Sequence, residues 1–86
     1  MDSNKQNLIN KILYRAQYRG TKEMDIFVSK FVNSIINDLN YEELVILDKL
    51  INLDDEILIK LSLGENSKDF KDSNILKKLI DFSSKY

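Results

Sequence analysis

The stretch TKEMDIFVSKFVNSIINDL, residues 21–39, decides the fold of this 86-residue chain. Thr21 is a typical residue for the position just before a helix, and Glu23 and Asp25 add negative charge to the first turn, where the helix dipole favours it. Apolar side chains then recur every three to four positions, as on one side of an α-helix. We predict a main core helix here, with a broad buried face formed by Met24, Phe27, Val28, Phe31, Val32, Ile35 and Leu39.

The residues before this stretch predict a first helix. Ser3 followed by Gln6 fits a capping box, in which each residue satisfies a backbone N–H of the first turn. Gly20 is a residue at which helices commonly end, so we expect helix 1 to end there, with Gly20 in the left-handed conformation that reverses the chain. Between them runs an apolar stripe at helical spacing, formed by Leu8, Ile9, Ile12, Leu13 and Ala16.

The rest of the chain predicts three more helices. Asn40 with Glu43 opens the third, and Asp54 opens a short fourth helix that Gly64 terminates. The fifth begins at about Phe70. The side chains expected to face inward are Leu44, Leu47, Leu50 and Ile51 in the third helix, Ile57, Leu58 and Leu61 in the fourth, and Leu76, Leu79, Ile80 and Phe82 in the fifth.

The fold class follows from these elements. No segment has the alternating period of a strand, and the sequence contains no proline and no Gly/Ser-rich linker. Short connections between helices favour antiparallel neighbours. We predict an all-α fold, a small bundle of five helices in which residues 1–86 form a single domain.

Composition excludes several classes of function. The chain has 13 Lys and Arg against 14 Asp and Glu, so it lacks the basic surplus that general nucleic-acid binding requires. It contains no cysteine and no histidine, which removes thiolate and imidazole zinc ligands and the Ser-His and Cys-His forms of catalysis. We therefore expect no catalytic residue and no resident metal.

The sequence also predicts where the protein is located. The longest apolar runs span a few residues, whereas a helix that crosses a bilayer needs about 20, and the start MDSNKQN has neither a signal-peptide core nor the look of a transit peptide. We expect a soluble cytoplasmic monomer that binds no nucleic acid and no cofactor of its own.

Three other motifs have simpler interpretations. Ser73 in KDSNIL resembles the prosthetic-group serine of acyl carrier proteins, but a polar residue at a helix start explains it more simply. Asp54 and its acidic neighbours in LDDE lack the spacing of a calcium loop and suit a helix start. A helix-turn-helix reader of DNA is disfavoured, because residues 21–39 contain only Lys22 and Lys30 as cations.

The segment between helices 1 and 2 is unusual in composition. Both arginines of the chain, Arg15 and Arg19, lie within five positions of Gly20, one of only two glycines. A cation at a helix end, a glycine in the turn and Glu23 at the next helix start form an ordinary helix corner. Arginine is also the better residue for bidentate recognition of carboxylates or phosphates at an interface, so a binding surface is the other interpretation.

The pattern R-x-x-x-R-G-x-x-E-x-D resembles the signature of the succinate dehydrogenase FAD assembly factors, the SdhE family. In this chain it is carried by LYRAQYRGTKEMD, residues 13–25. The resemblance continues into LDKLINLDDEILIKLSLG, a leucine-rich helix followed by an acidic helix start, and so covers most of the chain. Two departures are Tyr18, where some members have a second arginine, and Glu56 and Ile59, where some have a proline or an aromatic residue.

The resemblance implies an accessory protein of a bacterial cytoplasm and not an enzyme. It would bind the flavoprotein subunit of succinate dehydrogenase, or of the related fumarate reductase, and promote covalent attachment of FAD to a histidine of that subunit. The partner-binding residues it implies are Arg15, Arg19, Gly20, Glu23 and Asp25. The alternative is a helical interaction module with another partner, such as a toxin-neutralising protein.

Overall fold

Five α-helices and one short 3₁₀ turn make up the fold, which a computed structural model describes for residues 3–17, 20–65, 70 and 73–85. The all-α prediction is confirmed, and no strand occurs within those ranges. In chain order the elements are α1 (Ser3–Ala16), α2 (Lys22–Ile35), the 3₁₀ turn (Ile36–Asp38), α3 (Tyr41–Ile51), α4 (Asp55–Ser62) and α5 (Asn74–Lys85).

The predicted helix starts are confirmed for α2 and α3. The Thr21 hydroxyl oxygen accepts a hydrogen bond from the Met24 N–H at 3.2 Å, which caps α2. Asn40 and Glu43 form a complete capping box, since the Glu43 N–H donates to Asn40 Oδ1 at 2.8 Å and the Asn40 N–H donates to Glu43 Oε1 at 3.0 Å. Each cap satisfies backbone donors that have no partner inside the helix, so the sequence sets where these helices begin.

The predicted side-chain caps at the starts of α1 and α4 are not confirmed. α1 begins at Ser3, whose side chain lies outside the described part of the chain, and the Gln6 amide donates to Asn10 Oδ1 at 3.0 Å. Asp54 occupies the N-cap position of α4, as predicted, but its side chain makes no capping hydrogen bond.

The end of α4 depends on the only glycine with a positive φ among the described residues. Gly64 has a φ of 93°. Its N–H donates to the Leu61 carbonyl at 3.0 Å, and the N–H of Glu65 donates to the Lys60 carbonyl at 3.2 Å. These two bonds form a Schellman motif, which satisfies the last carbonyls of the helix, so the predicted termination at Gly64 is confirmed.

The predicted end of α2 and the predicted start of α5 are wrong. α2 ends at Ile35 and not at Leu39, because the chain tightens into the 3₁₀ turn before it, although Leu39 stays buried. α5 begins at Asn74 and not near Phe70, because the Ser73 hydroxyl accepts from the N–H groups of Ile75 and Leu76 at 3.1 and 3.4 Å. Ser73 is therefore a helix-start residue, as its simpler interpretation held.

The core forms around the apolar face of α2. Phe31 and Val32 are 1% and 0% exposed. The ring of Phe82 in α5 lies across both Phe27 and Phe31, with centroid distances of 5.7 and 5.6 Å and tilted planes. α1 packs against α2 and α3, while α5 packs against α3 and α4. The predicted inward faces of α1, α2, α3 and α5 are confirmed as buried or partly buried.

The inward face of α4 is narrower than predicted. Leu58 and Leu61 are buried, but Ile57 is 43% exposed, so its prediction as a core residue is wrong. Ile57 lies about 100° around the helix from Leu58, because an α-helix has about 3.6 residues per turn. A helix of eight residues that presents Leu58 and Leu61 to the core leaves Ile57 on its flank.

Phe31→Ala is expected to destabilise the protein by about 3–5 kcal/mol, the usual cost of deleting a fully buried aromatic ring. So large a loss approaches the whole stability of a small domain. Ile26→Ala on the exposed side of the same helix is the control and should change stability by less than about 1 kcal/mol. Thermal and urea unfolding followed by circular dichroism measures both, and equal effects of the two substitutions would contradict the assignment of the faces.

Candidate functional site

The connection between α1 and α2, together with the first turn of α2, is called the corner. Its backbone differs from the one predicted. α1 ends at Ala16, four positions before Gly20, and the turn begins with the Gln17 N–H donating to the Tyr14 carbonyl at 3.2 Å. Gly20 is exposed and does not have a positive φ. The prediction that Gly20 is left-handed is therefore wrong. Tyr18 and Arg19 lie outside the described residues.

A hydrogen bond from α2 holds the end of α1. The Ser29 hydroxyl donates to the Ala16 carbonyl at 3.0 Å, and this carbonyl is one of the last four of α1, which have no acceptor role inside the helix. Sequence reasoning missed Ser29, because a serine within a helix gives no signal of a partner on another helix. The bond fixes the distance between the two helices at the corner.

Gly20 lies against the beginning of α4. A Cβ atom at position 20 would lie 3.3 Å from Asp55 Oδ2, closer than most Cβ contacts in proteins. The missing side chain therefore lets the acidic start of α4 approach the corner. This internal contact explains the glycine without a left-handed turn, and it makes α4 a neighbour of the predicted site.

Arg15 connects α1 to α3. Its Nη1 donates to Asp48 Oδ1 at 3.0 Å, and Lys11 Nζ lies 3.7 Å from Asp48 Oδ2. The Asp48 side chain is only 15% exposed, so its charge needs both cations more than a surface carboxylate would. Arg15 remains 39% exposed, and its planar guanidinium has further N–H donors beyond the one facing Asp48. Arg15 thus has a structural role, and its role in partner binding stays a prediction.

The acidic side of the corner is presented by the first turn of α2. Glu23 is exposed and forms no hydrogen bond or ion pair with the described residues. Asp25 is half-buried. The Thr21 cap and the Asp25 N–H bond to the Thr21 carbonyl, at 3.0 Å, hold the backbone beneath Glu23. The first turn of α2 therefore offers a carboxylate that has no partner among the described residues, on a fixed backbone near Gly20.

The predicted site residues differ in their exposure and in the helix that they face. Gly20 and Glu23 lie on the exposed corner, Asp25 is partly covered behind them, and Arg15 turns toward α3. Arg19 falls outside the described residues, so its place is not assigned. Within the described ranges no three acidic side chains are grouped as metal ligands, and no helix there is long and apolar enough to cross a membrane.

The two glycines are expected to respond differently to the same substitution. Gly20→Ala should change stability by less than about 1 kcal/mol, because the Asp55 carboxylate is the movable end of a side chain and the lower backbone entropy of alanine offsets the contact. Gly64→Ala should cost about 1–2 kcal/mol, because its φ of 93° strains any residue with a Cβ.

Repeating both substitutions in an Asp55→Ala protein separates the effect of the Gly20–Asp55 contact from that of a positive φ. In an Asp55→Ala protein, Gly20→Ala should become more favourable than in the parent, whereas the cost of Gly64→Ala should not change. Urea unfolding of the single and double variants measures this coupling. A Gly20→Ala cost that is the same in both backgrounds would contradict the role of the Gly20–Asp55 approach.

One comparison with known proteins identifies the family. Residues 10–83 match the Sdh5 family, described as flavinator of succinate dehydrogenase, and this range includes the whole corner. Comparisons with curated proteins and with solved structures gave no significant match. The match confirms the resemblance drawn from the sequence and decides against an unrelated partner such as a toxin. Members of the family are accessory proteins, not enzymes, that promote covalent attachment of FAD to the flavoprotein subunit of succinate dehydrogenase. This all-α chain belongs to the family of flavinators of succinate dehydrogenase.

Proposed function

We propose that this assembly factor contacts the flavoprotein subunit through the corner between α1 and α2, with Gly20 and Glu23 at the centre of the contact. Arg15 and Asp25 flank the contact, and Arg19 joins it on the strength of the sequence pattern alone. The observation that carries this proposal is the exposed Glu23 carboxylate, which has no partner among the described residues although the backbone beneath it is capped and hydrogen-bonded.

A fixed backbone at this corner favours binding. Association costs free energy when loops and side chains must be ordered, and a preorganised surface reduces that cost. The Thr21 cap and the Ser29 bond to the Ala16 carbonyl order the two helix ends at the corner before any partner arrives. A carboxylate held in this way suits a cationic or N–H donor group of the partner, because charge-assisted hydrogen bonds are the stronger kind.

The side chains available in this chain indicate which groups the partner must supply. The chain has no histidine and no cysteine, so the residue that becomes linked to FAD belongs to the partner. This chain contributes binding, and the partner contributes the nucleophile and the flavin. We therefore propose that it stabilises a conformation of the flavoprotein subunit in which the covalent bond forms, as a single copy, in the cytoplasm of a bacterium. The related fumarate reductase flavoprotein is a partner of the same chemistry.

Glu23→Ala is expected to impair flavinylation strongly while changing stability by no more than about 1 kcal/mol, because an exposed acid at a helix start contributes little to folding. Glu42→Ala is the matched control, since Glu42 is exposed and occupies the same position in the first turn of α3. The measurement is in-gel flavin fluorescence of the denatured flavoprotein subunit after incubation with each variant. Arg19→Ala should behave as Glu23→Ala does.

The contrary outcome of that experiment is also informative. If Glu23→Ala and Glu42→Ala both support flavinylation as the parent does, the acids at these helix starts act only on the helix dipole. The corner would then be an ordinary turn, and the contact with the partner would lie elsewhere on the surface.

The isolated protein is expected to be monomeric and free of flavin. Its two glycines, Gly20 and Gly64, lie in separate turns and form no glycine-rich loop of the kind that holds a dinucleotide phosphate. Sedimentation tests whether the protein is a monomer, and the visible absorbance of the purified protein tests whether it carries flavin. A yellow preparation with stoichiometric flavin would contradict the expectation that the protein binds no flavin.

A further inference from the structure

The outer side of α4 exposes an unusual amount of apolar surface. Among the described residues six large apolar side chains are exposed, and three of them belong to α4 or to its C-cap. Ile59 is 45% exposed and Leu63 is 73% exposed. The inward side of this short helix is already supplied by Leu58 and Leu61, which are buried. Ile59 and Leu63 are therefore not needed for the core.

These two side chains form a row that starts at the corner. Asp55, Ile59 and Leu63 follow one another at intervals of four residues, so they lie one above the next on the same side of the helix. The Leu63 N–H donates to the Ile59 carbonyl at 3.2 Å, which keeps Leu63 in line with the helix. Asp55, the first residue of the row, is the one that approaches Gly20.

We propose that Ile59 and Leu63, called the α4 row, form the second part of the surface that binds the flavoprotein subunit. The inference rests on the proposed function of the corner, with which the row is continuous through the Gly20–Asp55 approach. The occupant is an apolar patch of the flavoprotein subunit, adjoining the polar group that receives Glu23. Water leaves both surfaces when they meet, and this release favours binding in proportion to the apolar area covered.

A polar corner beside an apolar α4 row has the composition of a typical protein–protein interface. Apolar side chains at the centre of a contact commonly supply most of the affinity, while charged groups beside them fix orientation and partner choice. The row alone is too small for a stable dimer, which buries about 800 Å² on each partner. Its extent suits a contribution to a larger contact with another protein, of which the corner is the polar part.

Ile59→Ser and Leu63→Ser test the row, and Ile57→Ser is the matched control. Ile57 is the same residue type in the same helix, 43% exposed, but lies on the opposite flank from Ile59. The probe is a flavoprotein subunit of succinate dehydrogenase purified without covalent FAD. Its affinity for each variant is measured by calorimetry, with circular dichroism melts to show that each variant folds like the parent.

The row predicts that Ile59→Ser and Leu63→Ser each weaken binding by roughly tenfold or more, whereas Ile57→Ser stays within about twofold of the parent. Equal affinities for the Ile59 and Ile57 variants, with both folded, would overturn the proposal. Leu63→Ser keeps the test valid if Ile59→Ser does not fold, because Leu63 lies at the C-cap outside the helix proper.

Further outcomes of the binding measurements distinguish a failure of the α4 row proposal from a failure of the corner proposal. If Glu23→Ala loses binding and Ile59→Ser does not, the corner stands and the row is wrong. If Ile59→Ser loses binding and Glu23→Ala does not, the row is supported and the proposed corner contact is wrong. If the parent sediments as a dimer that Ile59→Ser makes monomeric, a second copy covers the row and the proposal is overturned.

Discussion

Burial of the apolar face of α2 is the interaction on which the rest of the structure depends. The five helices have between 8 and 14 residues, and isolated helices shorter than about 12–15 residues are marginal in water. Each one is therefore stable only while it packs against the others. Phe31 is the largest of the fully buried side chains, and with Val32 it places α2 in the middle of the core. The ring of Phe82 brings α5 to the same place.

The corner inherits its geometry from this packing. Because α1 and α2 are held together by their apolar faces, Ser29 meets the last carbonyl of α1, and α1 is tied to α3 through Arg15 and Asp48. The Thr21 cap holds the start of α2, and Glu23 is displayed there without a partner among the described residues. Folding thus stabilises the backbone beneath Glu23 and leaves its carboxylate exposed, as the proposed contact with the partner requires.

An accessory protein of this kind needs little beyond such a surface. The family to which the chain belongs promotes a flavin bond that forms in another protein, so a binding surface such as the proposed corner contact would be sufficient for its role. Exposed apolar residues are a liability for a small protein unless something covers them. Ile59 and Leu63 beside the corner are accounted for if the same partner covers both surfaces. The corner would then set orientation, and α4 would add affinity.

The local features of this chain were determined by its sequence. Thr21 caps α2 and Asn40 with Glu43 caps α3, because the partners in each cap lie three residues apart and need no tertiary contact to meet. The buried face of α2 follows from the helical repeat, and the R-G-x-x-E pattern is itself a local string. These features were sufficient to predict the fold class and the family correctly.

Contacts between distant residues were decided only by the tertiary structure. Arg15 and Asp48 lie 33 residues apart and Ser29 and Ala16 lie 13 apart, so neither pairing follows from any spacing along one helix. The role of Gly20 depends on where α4 begins in space, and that position is set by how Leu58 and Leu61 enter the core. The same packing left Ile57 outside. Helix periodicity specifies which side of a helix is apolar, but the angle at which neighbouring helices cross determines how much of that side is covered.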